Sequence, residues 1–426
     1  MEKKTVVIDN GTGFTKMGWA FNPEPTYDIP TVISDRQNKG NVQVSKKEHS
    51  ELDFFIGKEA YTKNNDMNYQ LFKPMSSGIV EDWDLMEKFW HRSIFDYLRC
   101  EPEDTTFILT EPPLNPPENR ENMAEIFFET FNAEGLFIGV QAVMALYSSY
   151  YFQKMQNQQV DAQLTGTVLD SGDGVTHIIP ISDGYVIGSC IKHIPLAGRD
   201  ITKFISQMLK DRGETKKFPI QDLERVAVQI KEKYGYVSEG DLAAEFAKFD
   251  KKKEKKDGTI ELSKKYKKLD FTGHDNKQYS LDVGYERFLG PEMFFHPEFL
   301  DSKYRLSIVD LLDNAIQGSP IDTRRNLYGN IVLSGGSTIF DNLGERLEKE
   351  LNNKINGRIE AYKLQSGINV KPIEIKVTAN PFQRYAVWQG GSYLAANDNF
   401  RYHTRQQYQE YGSAIARINP VVQPGM

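Results

Sequence analysis

Short apolar runs bounded by glycine turns recur along the chain, and one such unit occurs twice. VVIDNGTGFT (Val6–Thr15) and TVLDSGDGVTH (Thr167–His177) share one order: apolar strand, Asp, any residue, Gly, any residue, Gly, apolar residue, Thr. Each apolar run reads as a short buried strand. One copy alone is an ordinary hairpin signal, because Asn-Gly and Asp-Gly suit tight hairpin turns. Two copies far apart in one chain predict two similar halves, each presenting a hairpin. The first hairpin continues into a strand over Phe14–Phe21.

Elsewhere the pattern alternates between strands and amphipathic helices. Residues 34–73 are polar and weakly periodic, which predicts a small mobile lobe or long loops. Asp82 or Asp84 can cap a helix whose apolar face is Leu85, Phe89, Ile94 and Leu98. A strand at Phe107–Thr110, a proline-rich turn, a helix over Asn119–Phe131 and a strand at Leu136–Val140 follow, and QAVMALYSSYY continues as a helix. After the second glycine loop come strands and turns, then a helix opening at Gly198 and Asp200, and another over Gln221–Tyr234. The lysine-heavy stretch 245–280 reads as a solvated surface insertion rather than a binding patch. Asp282–Phe299 reads as an irregular packed segment, and helices are expected at Ser307–Gln317 and Asp322–Leu327. Ile331–Phe340 is a third strand ending in a glycine loop (Gly335, Gly336), followed by a helix from Asp341 to Leu351. QRYAVWQGGSYLA (Gln383–Ala395) turns into a helix, with Trp388 buried and Gly390–Gly391 permitting close packing.

Composition narrows the picture. At 426 residues two large domains are the default. A net charge of -7 argues against nucleic acid as the main partner. Cys100 and Cys190 have no zinc-type spacing and form no disulfide framework, so a reducing compartment fits. The start MEKKTVVIDN has no signal-peptide apolar region, and no apolar run is long enough to insert in a membrane. A soluble intracellular protein is expected.

Three strand-then-glycine loops, two with an Asp at the strand end, describe a site for a nucleoside triphosphate and a divalent cation. Glycine lets backbone N–H groups approach phosphate oxygens closely. Mg²⁺ prefers oxygen ligands and keeps several waters, so Asp9 and Asp170 are candidates to hold it through its hydration shell. Lys16, three residues past Gly13, can reach a β- or γ-phosphate; without that loop it would read as an edge lysine. Gln141 stands at a strand-to-helix junction where an amide can orient water, although a helix-start glutamine without that duty is the better local reading. His177 lies just beyond the second loop, where a histidine is more often structural than a base. There is no GxxxxGK[ST] loop, and GxGxxG is not found between strand and helix.

At these residues the sequence resembles the actin family. IDNGTGFTKMGWA, TEPPLNPPENRENMAEIFFETFN, QAVMALY, LDSGDGVTH, LAGRDIT, IVLSGGST and YAVWQGGS match it in order and spacing along essentially the whole chain. The resemblance implies an α/β actin-like ATPase fold: two ribonuclease-H-like domains around a nucleotide cleft, in four subdomains. It places subdomain 1 at 1–33, 74–148 and 386–426, and subdomain 2 at 34–73. Subdomain 3 falls at 149–196 and 303–385, and subdomain 4, with the lysine-rich insertion, at 197–302. By resemblance ATP or ADP with Mg²⁺ is the ligand. Asp9 and Asp170 then match cation positions, and Thr12, Gly13, Phe14, Lys16, Asp173, Gly174 and Val175 match phosphate-contacting ones. Gly198, Lys231, Glu232, Gly336, Ile339, Phe340 and Arg384 complete the implied nucleotide set, and Gln141 and His177 match residues that place and deprotonate the attacking water. Arg384 stands where actin has lysine, and Thr12 where it has serine.

VIGSCIKHIPLAGRDIT, DVGYERFLGPEMFFHPEF, the lysine-rich insertion and the YHTRQQYQEYG tail resemble an actin-related member rather than conventional actin. That resemblance implies a subunit of a seven-protein complex with a second actin-related chain and five further subunits. Such a complex starts branches on actin filaments, using actin monomers brought by activators, in the cytoplasmic cytoskeleton. No nucleic-acid partner and no membrane insertion are expected, and ATP hydrolysis, if present, is expected to be slow or vestigial. Other readings are a self-polymerising actin, a sugar kinase or chaperone ATPase of the same fold, and a nuclear actin relative. The divergent 34–73 lobe and the insertion argue against the first. The lack of an acceptor-activating aspartate and of a substrate domain after residue 400 argues against the second. The absence of an obvious basic targeting run outside the insertion weighs against the third.

Overall fold

Two mixed sheets, each built on one of the two repeated hairpins, organise the chain. The computed structural model describes residues 4–36, 54–63, 68–156, 164–249, 253–254, 260–261 and 265–418. In the first sheet Lys4–Asn10 pairs antiparallel with Phe14–Trp19 and parallel with Thr105–Glu111, which in turn runs parallel to Gly135–Val140. In the second, Gly166–Ser171 pairs antiparallel with Thr176–Ser182 and parallel with Ile331–Ser334, which runs parallel to Val377–Thr378. The register is equivalent too: Asp9 lies opposite Lys16, and Asp170 opposite His177. Lys16 and His177 are therefore counterparts in the two halves.

The central strands read as continuous apolar runs because helices cover both faces, as parallel sheets require. Val6, Val7, Ile8, Val168, Leu169, Val332 and Leu333 are all fully buried. One shared core joins the halves: Val7 and Ile108 from the first sheet and Val168, Ile179 and Val332 from the second meet around Ala142–Tyr147 and Trp388. Helices Gln141–Met155 and Ala386–Ala395 cross there at very short range. Trp388 is fully buried and donates its indole N–H to the Val7 carbonyl at 3.1 Å. A Cβ at Gly390 would lie 2.0 Å from the Met144 carbonyl oxygen.

Asp82 caps helix Trp83–Arg92, accepting the Leu85 N–H at 3.0 Å, and Phe89, Ile94 and Leu98 face inward. Other segments differ from expectation. The 34–73 region is structured where described: Ile33–Arg36, Phe55–Ile56 and Tyr69–Phe72 form a three-stranded sheet beside helix Gly57–Lys63. Residues 37–53 and 64–67 of that lobe lie outside the described residues. So does much of the lysine-rich stretch between 250 and 264. Its flank is a hairpin, Lys267–Thr272 with Gln278–Val283, that turns Leu269, Phe271, Leu281 and Val283 inward and Lys268 and Asp270 outward. Period-two alternation, not composition, decides that segment. The segment expected to be irregular contains helix Glu286–Glu292, which tolerates Pro291 in its last turn. The helix expected to stop at Leu351 runs on to Ser366, ending at Gly367 with φ +71°. Among the described residues no helix is long and apolar enough to cross a membrane.

Candidate functional site

The two hairpin loops meet face to face. A Cβ on Gly13 would fall 2.7 Å from Asp173 Cβ, closer than the packing allows, and one on Gly174 would make a tight 3.1 Å contact with Thr12. Behind the second loop, Gly335 adopts φ +92°, and its Cβ would sit 2.2 Å from the Ser171 carbonyl oxygen. The third strand's loop is thereby pressed against the second hairpin. Between the loops lies a cleft of about 400 Å³.

Asp9 ends its strand as a buried acceptor. Its Oδ1 takes the Thr110 hydroxyl at 2.7 Å and the Gln141 amide at 3.2 Å, and its Oδ2 takes Lys16 Nζ at 3.1 Å. Burial works against the Lys16 ammonium, but the carboxylates of Asp9, Asp28 and Asp170 outweigh it and hold its pKa above the ordinary lysine value. Asp170 has the opposite problem. Burial, with the nearby Asp9 charge added, raises its pKa despite Lys16. Two carboxylates at matching strand ends, Asp9 buried and Asp170 half-buried, fit a divalent cation, whose charge would stabilise both in their ionised form. Among the described residues no group of three or more His, Cys, Asp or Glu side chains could hold a metal. A cation at Asp9 and Asp170 would thus keep most of its ligands as water and phosphate oxygens.

The loops offer mostly backbone. Thr12 Oγ1 accepts the Gly78 N–H at 2.7 Å, which ties the first loop to the segment leaving the polar lobe. The Asp173 carboxylate faces Arg199, at 2.9 Å, so this acidic side chain is neutralised beside its loop. The Gly172 carbonyl accepts the Gly198 N–H at 3.0 Å and the Ser337 hydroxyl at 2.7 Å. Lys231 donates to the Gly198 carbonyl at 3.0 Å, and burial lowers its pKa. Arg384 is paired with Asp28 and lies over the Phe14 ring, 5.6 Å from its centroid.

Asp9, Thr12, Gly13, Phe14, Lys16, Gln141, Asp170, Asp173, Gly174, Val175 and His177 all line the cleft. Lys231, Glu232, Gly336, Ile339, Phe340 and Arg384 complete its wall. Gly198 does not line it; this glycine lies behind the wall, where a Cβ would come within 2.6 Å of Ser337 Oγ. Gly11, Gly78, Pro112, Gly235, Ser334, Ser337 and Asp341 line the cleft as well. Gly11 belongs to the repeated loop pattern and Ser337 to the third loop. Gly78 and Pro112 arrive from separate segments that carry no local signal.

The two residues expected to handle water each have one side-chain nitrogen engaged by neighbouring residues. The Gln141 amide nitrogen is shared among Asp9, the Asn10 carbonyl and Thr110. His177 Nε2 is hydrogen-bonded to His193 Nδ1 at 3.0 Å. Burial, then the neighbouring His193, pushes the His177 pKa down to about 4. It is neutral at pH 7, and folding stability depends on its staying so. The native state binds fewer protons here than the unfolded chain, so this stability is complete above about pH 6.5 and is lost as pH falls toward 4. The effect is at most about 3 kcal/mol. Urea midpoints measured between pH 7.5 and 4.5 should fall more steeply for the natural protein than for His177→Gln. Parallel curves would contradict this.

The actin family profile matches residues 1–419. Actin-related protein 3 of Dictyostelium discoideum is 48% identical over 423 residues, covering 98% of this chain and 97% of that protein. Actin-related protein 3 of Acanthamoeba castellanii is 50% identical over 430 residues, with 98% and 97% covered. That of Caenorhabditis elegans is 48% identical over 431 residues, with 97% of each chain covered.

Proposed function

The chain belongs to the actin family, and from that premise we propose that it is an ATP-binding subunit of the seven-subunit complex that nucleates branched actin filaments. It acts with actin-related protein 2 and five further subunits, so that the two related chains serve as a template for the new filament. Its other partners are actin filaments, actin monomers and nucleation-promoting activators, in the cytoplasmic actin cytoskeleton. A preassembled pair bypasses the unstable early oligomers that make nucleation slow. Activators then shift a population from open to closed arrangements.

The observation that carries the nucleotide reading is the cleft in which two like glycine hairpins touch, with Asp9 and Asp170 at the strand ends. Backbone N–H groups of these loops suit phosphate oxygens. Lys16 supplies a point charge beside them. Bound Mg²⁺ would neutralise phosphate charge at Asp9 and Asp170, with water filling its remaining positions. Hydrolysis, if present, is slow or vestigial, and the nucleotide serves chiefly as a structural ligand. Relatives named Actin-related protein 3 support the assembly reading.

Native mass in a gentle extract, with identification of co-purifying chains, tests the assembly. A discrete complex with a second actin-related chain and several unrelated subunits is expected. A free monomer that pellets as filaments on adding Mg-ATP would indicate a self-polymerising actin instead.

A further inference from the structure

Resting on the nucleotide reading above, we infer that Asp28 is a positioning residue that divides the cleft wall into a cationic phosphate end and a charge-neutralised base end. Asp9 lies opposite Lys16, and Lys16 lies opposite Asp28, across three adjacent antiparallel strands. Residues directly opposite in such strands project from the same face. Charges of alternating sign therefore run side by side from the strand-end carboxylate outward. Arg384 extends the row: its Nε and one terminal nitrogen both donate to Asp28 Oδ2, at 3.0 and 2.9 Å. The Tyr385 hydroxyl reaches the same oxygen at 3.5 Å, whereas Asp28 Oδ1 is buried with no hydrogen-bond partner.

This arrangement does two things. It fixes the guanidinium across the exposed side of Phe14, 5.6 Å from the ring centroid, where both residues line the cleft. It also cancels the Arg384 charge from behind the wall, since Asp28 itself is not part of the lining. A half-buried arginine without such a partner would be a second phosphate cation, competing with Lys16. Held by Asp28, its flat face suits stacking against a purine base. Ile339, which is 45% exposed, and Phe340 add apolar surface to the same cleft.

The experiment is competition of ATP and of inorganic tripolyphosphate against a fluorescent ATP analogue, on full-length protein with Mg²⁺ present. Asp28→Asn keeps the shape and removes the charge. It should weaken ATP and strengthen tripolyphosphate, lowering the ratio of their affinities roughly tenfold. Adding Arg384→Gln to that variant should abolish the tripolyphosphate gain. Arg384→Gln alone should weaken ATP while leaving tripolyphosphate unchanged, a readout independent of how well Asp28→Asn folds. Loss of both ligands by one common factor, or an unchanged ratio, would reduce Asp28 to a structural residue and overturn the inference alone. Natural protein that does not bind ATP would overturn the nucleotide reading and this inference with it.

Discussion

Gly390→Ala should destabilise the protein by about 3 kcal/mol or more, a large effect for one methyl group. The added carbon would lie 2.0 Å from the Met144 carbonyl oxygen and 2.6 Å from its carbon. That neighbour is helix backbone, which cannot rotate away as a side-chain tip can. Helices Gln141–Met155 and Ala386–Ala395 would have to separate, and with them the core where Val7 and Ile108 meet Val168 and Val332. Gly357→Ala is the control. It lies within helix Leu343–Ser366 with nothing within 4 Å of its would-be Cβ. That change should stabilise by about 0.5–1 kcal/mol, since alanine loses less backbone freedom than glycine in a helix. Denaturant unfolding of both variants measures the contrast. Equal midpoints for the two would contradict the packing described.

Asp9→Ala carries the second large effect, on stability and on ligand together. The carboxylate is 2% exposed and receives three donors, from Thr110, Gln141 and Lys16. Removing it leaves the Lys16 ammonium partly buried without its closest counter-charge. Breaking a buried pair in this way costs about 3 kcal/mol. It also removes one of the two carboxylates suited to a cation, so Mg²⁺-dependent nucleotide affinity should drop at least about a hundredfold. Asp9→Asn separates the two consequences. It keeps an acceptor for Thr110 and Gln141, so it should recover much of the stability and little of the affinity. Full affinity in Asp9→Asn would remove this carboxylate from the site.

The two Asp-x-Gly-x-Gly hairpins, the third glycine loop and the close packing at Gly390 were legible in the sequence because each is written in local grammar. Glycine appears where a Cβ has no room, and aspartate where a strand ends. The end of the long helix was not legible. Beyond Ile355 no side chain of that helix is buried, and Glu360–Ser366 is exposed all round, so no periodicity marks it. Its helix-favouring residues and the left-handed Gly367 set its length instead. The hairpin beside the lysine-rich stretch was hidden by composition, although KKLDFT alternates as a half-buried strand should. Partner choice was the least legible of all. Nothing local says that Arg384 turns to Asp28, 356 positions away, or that His177 turns to His193. Those pairings depend on which strands and helices the fold sets side by side.

The most direct test of the central claim is equilibrium binding of ATP to the purified protein, titrated with Mg²⁺ present and again with Mg²⁺ chelated. One nucleotide per chain, bound at least about tenfold more tightly with Mg²⁺ and lost in Asp9→Ala, is the predicted result. No binding, or binding indifferent to both Mg²⁺ and Asp9, would contradict the assignment of the paired hairpins as a nucleotide site.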